Sequence, residues 1–229
     1  MNTLELKQAR KQRGWTQEEA ALRLGVSQSY LSLLENGKRE LGPKLARKAV
    51  NVLELSPTVL PLCKHLALQV KPQNLAQQLA SLGYPGFAYL RASKKRNPSE
   101  VLITALAQDD LESRLTEGLP WLLLRYSNMC RQWLVDQARL RNLSNRLGFV
   151  VALAKGVSER QGDTQSNCYQ ALLRLEQQLS ESRLDKEDTL CQSSLSPMER
   201  TWLKETRPPE AAYWHVLTDW RPEHLQYAT

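Results

Sequence analysis

The sequence predicts an all-α protein, and three patterns support this prediction. Apolar side chains recur at helical spacing in the middle of the chain, as at Leu122, Tyr126, Met129 and Trp133. Helix-start signals are frequent, and the alternation of Val and Ile that is typical of strands is nearly absent. The best strand candidate, residues 149–151, fits a buried helix equally well. We therefore expect no parallel sheet and none of the nucleotide-binding folds built on one.

The first quarter of the chain predicts three short helices and a fourth that begins at Pro43. The first is expected over residues 4–13, before Gly14, the second over 16–24 and the third over 27–35. Only a short turn that contains glycine separates the second helix from the third, which is the arrangement of a helix-turn-helix motif. This part of the chain is thus expected to form four to five helices.

Several helix starts carry explicit capping residues. Thr16 and Glu19 form a capping box, in which the hydroxyl and the carboxylate each accept a hydrogen bond from a backbone N–H. Ser27 is suited to cap the following helix. Residues 97–100 and 196–199 share one pattern, a capping side chain, a proline at the first helical position and an acidic residue at the third. Further helices are therefore expected at these two places.

Proline and glycine clusters divide the chain into two predicted domains. Prolines within residues 56–61 interrupt the helical pattern, so we predict an N-terminal domain over 1–60 and a larger helical domain over 61–229. A second break, over residues 83–97, contains a basic run at 91–96. This run is either an arm that contacts phosphate groups or a loop.

The chain carries a net positive charge that is unevenly distributed. Its 31 Lys and Arg residues against 24 Asp and Glu residues give +7. Residues 1–60 hold ten basic and six acidic residues (+4), residues 61–180 hold fifteen and nine (+6), and residues 181–229 hold six and nine (−3). Such asymmetry is typical of proteins that contact an anionic partner, nucleic acid among them, at one end.

Two further features indicate a cytoplasmic protein. The four cysteines are far apart and form no CxxC pair, which favours free thiols in a reducing compartment. No apolar stretch approaches the ~20 residues needed to cross a bilayer, and no signal-peptide core is present. We therefore expect a soluble chain that contacts no membrane.

Patterns typical of catalysis and of metal binding are absent from the sequence. The histidines at 65, 215 and 224 are scattered, and no His and Cys residues have metal-ligand spacing. There is no phosphate-binding P-loop and no glycine-rich dinucleotide turn. The adjacent carboxylates of Asp109 and Asp110 are interpreted as a helix cap. We expect no enzyme activity, no catalytic residue, no metal and no cofactor.

Residues 14–20 (GWTQEEA), 24–32 (LGVSQSYLS) and 34–39 (LENGKR) carry a recognisable pattern. They resemble the Cro/repressor-type (XRE) helix-turn-helix family. The resemblance covers about a quarter of the chain and implies binding to double-stranded DNA. It also implies that Arg10 and Glu35 have a structural role, in which they tie the first helix to the third.

Helix geometry and this resemblance together select the residues expected to contact DNA. Gln28 carries an amide suited to N6 and N7 of adenine, and Leu33 an apolar group suited to a thymine methyl. Ser29 and Ser32 are placed to reach a base or a phosphate, and Tyr30 is either part of the core rim or a phosphate donor. The remaining predicted contacts are to backbone phosphates, from Gln17 and Asn36 by resemblance and from Lys38, Arg39 and Lys44 by charge.

A second resemblance extends over most of the chain. It is carried, in order, by LGYPGF (82–87), NPSEVL (97–102), LPWL (119–122), NRLGFV (145–150), EAAYW (210–214) and RPEHL (221–225). These segments resemble long helix-turn-helix regulators that are encoded beside nucleotidyltransferase-type toxins of the abortive-infection class and act as their antitoxins. The resemblance implies autoregulation of the operon and neutralisation of the toxin, by direct binding or by reversal of the toxin's effect.

Two questions stay open at this level. Helix-turn-helix dimers read paired half-sites, so we expect a homodimer on a palindromic operator. The alternative to the antitoxin is a stand-alone regulator whose helical C-terminal domain dimerises or senses a ligand. A group of arginines in this domain forms either a solvated surface or a basic face for DNA or an acidic partner. These arginines are Arg125, Arg131, Arg139, Arg141 and Arg146.

Overall fold

The computed structural model describes residues 3–63, 66–91 and 93–227 of the chain. It confirms the all-α class, with a helix-turn-helix region followed by a further helical region. The chain divides into two compact units. The N-terminal unit runs to Cys63 and includes Lys95–Asn97, and the C-terminal unit comprises the described residues of 64–94 and 98–229.

Helices account for nearly all of the regular structure in the described residues. The first four are α1 (Thr3–Gln12), α2 (Gln17–Leu24), α3 (Gln28–Glu35) and α4 (Pro43–Val52). The others are α5 (Pro72–Ser81), α6 (Pro98–Leu106), α7 (Ser113–Arg125), α8 (Arg131–Leu140), α9 (Ser144–Arg160), α10 (Asn167–Ser180), α11 (Pro197–Thr206) and α12 (Pro209–Tyr213). Short 3-10 turns lie at Pro57–Val59, Pro85–Phe87 and Pro222–His224. Two strands of two residues each, β1 (Asp188–Thr189) and β2 (Val216–Leu217), pair in parallel. The expectation of no parallel sheet is therefore wrong for this small pair, which long-range packing of the tail, rather than a local strand pattern, brings together.

The N-terminal unit packs its helices around a small apolar core. The core side chains alternate with exposed ones at the spacing of a helical stripe, so each short helix buries one face. They include Leu6, Ala20, Leu24, Leu31, Leu34, Ala49, Val50 and Leu53. Because each helix has only 8 to 10 residues, this packing and the helix caps stabilise the helices more than their intrinsic propensity does.

In the C-terminal unit α9 is the central helix. It packs against α7, α8 and α10, and residues 149–151, the best strand candidate of the sequence, are fully buried within it. Gly148 allows the indole of Trp214 to approach the helix, since a Cβ at this position would lie 2.3 Å from the ring. Trp214, the residue that follows α12, thereby packs directly onto the backbone of α9. Any larger residue at position 148 would displace Trp214.

The side chain of Arg146 on α9 is buried and ion-paired. Its guanidinium forms a two-point contact with Asp188, at 2.7 and 2.8 Å, and donates to the carbonyls of Leu106 and Gln108, both at 2.9 Å. Arg146 therefore ties α9 to β1 and to the end of α6. The interpretation of Arg146 as part of a solvated or basic outer face is wrong, because tertiary contacts neutralise its charge.

The two carboxylates at 109 and 110 do not cap the helix that follows them. Glu112 occupies the N-cap position of α7, and Asp110 instead accepts hydrogen bonds from the backbone N–H and the hydroxyl of Ser194, at 3.0 and 2.8 Å. These bonds lower the pKa of the Asp110 carboxyl below its usual range. Asp110 thus fixes a distant loop, a role that its local sequence did not reveal.

No helix among the described residues has the length and apolar character needed to cross a membrane. Within the same residues, no group of three His, Cys, Asp or Glu side chains is placed to hold a metal ion.

Candidate DNA-binding site

Two capped helices and a glycine turn build the candidate site. Thr16 and Glu19 form the predicted capping box at the start of α2, with bonds of 3.1 and 2.8 Å. Gly25 ends α2 in the left-handed conformation, at φ 69°, which glycine adopts without steric cost. Ser27 then caps α3 by accepting a bond from the N–H of Tyr30 at 3.2 Å. The local sequence therefore dictates the sharp change of direction between the two helices.

The two faces of α3 differ in exposure. Leu31 and Leu34 are buried, each 1% exposed, in the same core as Leu24 of α2. On the outer side of the helix Gln28 and Ser29 are exposed to solvent. The helix thus has one face fixed by packing and one face left free to enter a DNA groove.

A chain of polar contacts connects the buried side of this unit to the outer face. Glu35 accepts two hydrogen bonds from Arg10, at 2.6 and 3.0 Å. The same carboxylate accepts a bond of 2.9 Å from the side-chain amide of Gln17. Gln17 in turn accepts a bond of 2.9 Å from the amide nitrogen of Gln28. The orientation of Gln28 is therefore linked, through Gln17, to an ion pair in the core.

This orientation leaves Gln28 with the groups that recognition of adenine requires. One N–H of its amide is used by Gln17, so a second N–H and the carbonyl oxygen stay available. A side-chain amide reads adenine by donating to N7 and accepting from N6. Because the bond to Gln17 restricts the rotation of the Gln28 amide, little conformational freedom is lost on binding.

The buried ion pair is charged at neutral pH. Burial raises the pKa of Glu35, but the hydrogen bonds from Arg10 and Gln17 and the positive charge of Arg10 outweigh burial, so the pKa lies below its ordinary value. The bond to Glu35 raises the pKa of Arg10 in the same way. The network therefore keeps a fixed pattern of donors and acceptors, in which Gln17 always donates to a carboxylate.

The other predicted contact residues lie around this network. Leu33 is 37% exposed and Ser32 is half-buried. Tyr30 is half-buried and packs against the core, which places it at the core rim, one of its two predicted positions. Asn36 ends α3 and donates to the hydroxyl of Ser32 at 3.3 Å. Ser29 lies on the outer face, and its hydroxyl contacts that of the capping Ser27 at 3.2 Å.

The predicted phosphate contacts Lys38, Arg39 and Lys44 are all exposed. In the described part of the chain none of the three has an ion-pair partner within 4.0 Å. Lys48, an exposed residue of α4, was not predicted from the sequence. Its ammonium lies beside Gly25, 2.9 Å from the position that a Cβ on this glycine would occupy. No local signal marks Lys48, because only the packing of α4 against α2 brings it to the turn.

Comparison with known proteins agrees with this geometry. Residues 6–60 match the family model described as helix-turn-helix. These residues form the helix-turn-helix region of the chain. The match supports a DNA-binding transcription regulator. No curated protein and no solved structure matches the chain.

Proposed function

We propose that the protein is a sequence-specific transcriptional repressor that reads its operator with α3 of the helix-turn-helix domain. The observation that carries this proposal is the linked set of contacts from Arg10 and Glu35 through Gln17 to Gln28. A solvated surface glutamine needs no such support. A glutamine that distinguishes one base from another does, since discrimination requires a fixed direction for its donor and acceptor.

The experiment measures base preference at the position read by Gln28. Wild-type protein and Q28A are titrated against a selected operator and against each single-base variant of it. We expect Q28A to lose about 1–3 kcal/mol of discrimination at one position and to keep it at the others. The control is Q8A, which removes an exposed glutamine of α1 outside the network. Equal base preference in Q28A and wild type would contradict the assignment of α3.

The repressor is proposed to act as a homodimer on a palindromic operator. Helix-turn-helix dimers place two recognition helices in successive major grooves, about 34–36 Å apart, so the operator repeats the symmetry of the protein. The mass of the complex on the native promoter tests this point. Two chains per palindrome support it, and one chain on a single half-site at saturation counts against it.

We also propose that the repressor is an antitoxin, whose C-terminal unit binds its toxin without catalysing a reaction. The structural support is an exposed apolar pair on α11, where Met198 and Trp202 are 82% and 54% exposed and lie one helical turn apart. Large exposed apolar side chains of this kind are typical of protein interfaces. Glu199 and Glu205 are exposed on the same helix, and the tail over 181–229 is acidic. The pair suits a toxin with an apolar surface patch. Because α11 also carries Arg200 and the exposed Lys204, only the acidic balance of the whole tail favours a basic rim around that patch.

The test combines the gene neighbourhood with a binding measurement. The neighbouring gene is expected to encode a nucleotidyltransferase-type protein that arrests growth when it is expressed alone. Co-purification of the two proteins is expected with the wild type and weakened by W202A. L140A is the matched control, since Leu140 is 73% exposed on α8. A neighbour of another class, or co-purification that W202A leaves unchanged, contradicts the proposed role of α11.

A further inference from the structure

A basic segment distant in sequence from the helix-turn-helix domain is part of its compact unit. Asn97 is 3% exposed, and its side-chain amide donates to the carbonyls of Thr58 and Leu60, at 3.0 and 2.7 Å. These bonds hold the segment Lys95–Asn97 against the 3-10 turn that follows α4, and this segment belongs to the N-terminal unit. The chain therefore brings additional residues to this domain after more than thirty intervening ones.

The residues that precede Asn97 are positively charged and unneutralised. Lys94, Lys95 and Arg96 are exposed, and within the described residues none of them has an ion-pair partner. The two that belong to the N-terminal unit raise its content from ten basic and six acidic residues to twelve and six, so its net charge rises from +4 to +6. Lys95 and Arg96 are called the basic arm below, since Lys94 belongs to the C-terminal unit.

Some of the basic residues elsewhere in the molecule are used differently, while others, among them Lys71, Arg125 and Arg174, are likewise without an ion pair within the described residues. In the C-terminal unit carboxylates neutralise several of them within 4.0 Å. The paired residues are Arg139, Arg146, Lys155, Arg160, Lys204 and Arg207. The basic arm has no such partner among the described residues and contains no apolar side chain that could pack against a protein surface. Its chemistry therefore fits a polyanion better than a folded protein partner.

We infer that the basic arm is a second DNA-binding element, which contacts backbone phosphates flanking the half-site read by α3. This inference rests on the proposed DNA-binding function. Lysine and arginine at the surface neutralise phosphates without reading bases, and each contact releases counterions. The arm adds affinity for any sequence, while α3 supplies discrimination. Asn97 is the positioning residue that holds the arm to the same compact unit as α3.

The first experiment measures the salt dependence of operator binding with the full chain. The double variant K95A/R96A is compared with a control double, R125A/R174A, which removes two exposed positive charges from the C-terminal unit. The slope of log K against log salt concentration changes by about 0.9 for each phosphate that the protein no longer neutralises. We expect the slope of the arm variant to fall by roughly 2, with unchanged base preference, and that of the control to equal the wild type.

The second experiment locates the phosphates that the arm binds. Single phosphates of the operator are replaced by uncharged methylphosphonates, and binding is measured for the wild type and the arm variant. We expect a set of flanking positions where the replacement weakens the wild type but leaves the arm variant unchanged. Such positions would identify the phosphates that the arm neutralises.

The outcomes separate this inference from the function on which it rests. A wild-type protein without sequence preference overturns the proposed function itself. A wild type that discriminates among operators, with an arm variant of identical salt slope and identical methylphosphonate profile, overturns only the role of the arm. An equal decrease of slope in the control double assigns the effect to total charge and also overturns the role of the arm.

Discussion

Each unit of the molecule contains a buried pair of an arginine and a carboxylate, and the two pairs serve different ends. The side chains of Arg10 and Glu35 are 10% and 1% exposed, and those of Arg146 and Asp188 are 10% and 30% exposed. Both pairs make a two-point contact with bonds of 2.6–3.0 Å. They differ in the partners that the remaining hydrogen-bond donors and acceptors of each pair contact.

In the N-terminal unit Arg10 also donates to the backbone carbonyl of Trp15, at 2.8 Å, while the remaining hydrogen-bonding capacity of Glu35 leads outward. Glu35 accepts a third bond from Gln17, which holds Gln28 on the exposed face of α3. In the C-terminal unit Arg146 directs its other donors inward, to two backbone carbonyls and toward the sulfur of Cys191 at 3.8 Å. The same kind of ion pair thus supports an exposed side chain of α3 in one unit and fastens a tail in the other. The local sequence around each arginine does not distinguish these roles.

The largest expected effect comes from breaking the pair of the N-terminal unit. In E35A the guanidinium of Arg10 stays buried without an anion, which typically costs 3–5 kcal/mol of unfolding free energy, so we expect about 4 kcal/mol. Urea unfolding measures the loss, and hydrogen exchange is expected to place it in α1–α4. E54A is the control, because Glu54 also pairs with an arginine, at 2.8 Å, but its side chain is 82% exposed. Its loss should stay below about 1 kcal/mol.

A somewhat smaller effect is expected from the pair of the C-terminal unit. R146M leaves the carboxylate of Asp188 and two carbonyls without their donor, and we expect a loss of about 3 kcal/mol, since Asp188 is partly hydrated. Operator affinity should not change. R139M is the control, because Arg139 is 44% exposed and lies 3.6 Å from its partner Glu181. A clear loss of operator affinity in R146M would contradict the separation of roles.

The thiol of Cys191 gives a second readout for the same variant. Burial raises the pKa of this thiol to about 11, so it should resist labelling at pH 8 while the exposed Cys130 reacts. R146M removes a positive charge that lowers the pKa of this thiol, so we expect the thiol itself to be no more reactive, and labelling of Cys191 in the folded variant to measure the local opening of the tail.

A still smaller effect is expected from removal of Gln17, whose side chain links the ion pair to Gln28 on the surface. Q17A should change the unfolding free energy by less than about 1 kcal/mol, because Glu35 keeps both bonds from Arg10. It should weaken operator binding by about 1–2 kcal/mol at the position read by Gln28. In a double-mutant cycle with Q28A the two losses are expected to be non-additive. Additive losses would mean that Gln17 does not act through Gln28.

The smallest effect concerns pH. The folded-state pKa of Glu35 is lowered, so its contribution to stability is complete above its unfolded pKa, about 4.3, and is lost as pH falls through the folded value. We therefore expect the N-terminal unit to lose stability below about pH 4.3. The difference in unfolding free energy between wild type and E35Q should shrink over the same range. If the difference in unfolding free energy stayed constant from neutral to acidic pH, protonation of Glu35 would not be coupled to folding.

The bounds of α2 and α3 were predictable because their signals are local. Thr16, Glu19 and Ser27 act on backbone groups within three residues along the chain, and Gly25 permits the turn by its own conformation. The exposure of Gln28 and Ser29 follows from helical periodicity as well. By contrast, the best strand candidate was ambiguous because a short apolar run fits a buried helix or a strand, and only packing in α9 decides between them.

By itself, the sequence determined the helical class, the helix-turn-helix motif and the side chains that face outward from α3. The family resemblance implied the interaction of Arg10 with Glu35, and the tertiary structure alone decided which other charges are neutralised and what each buried pair supports. Arg10 meets Glu35 across 25 residues and Arg146 meets Asp188 across 42, and Asn97 reaches Leu60 across 37. The physical reason is the separation along the chain over which each kind of interaction acts. Caps and periodicity act within one or two helical turns, whereas the partner of a buried charge depends on how distant helices pack.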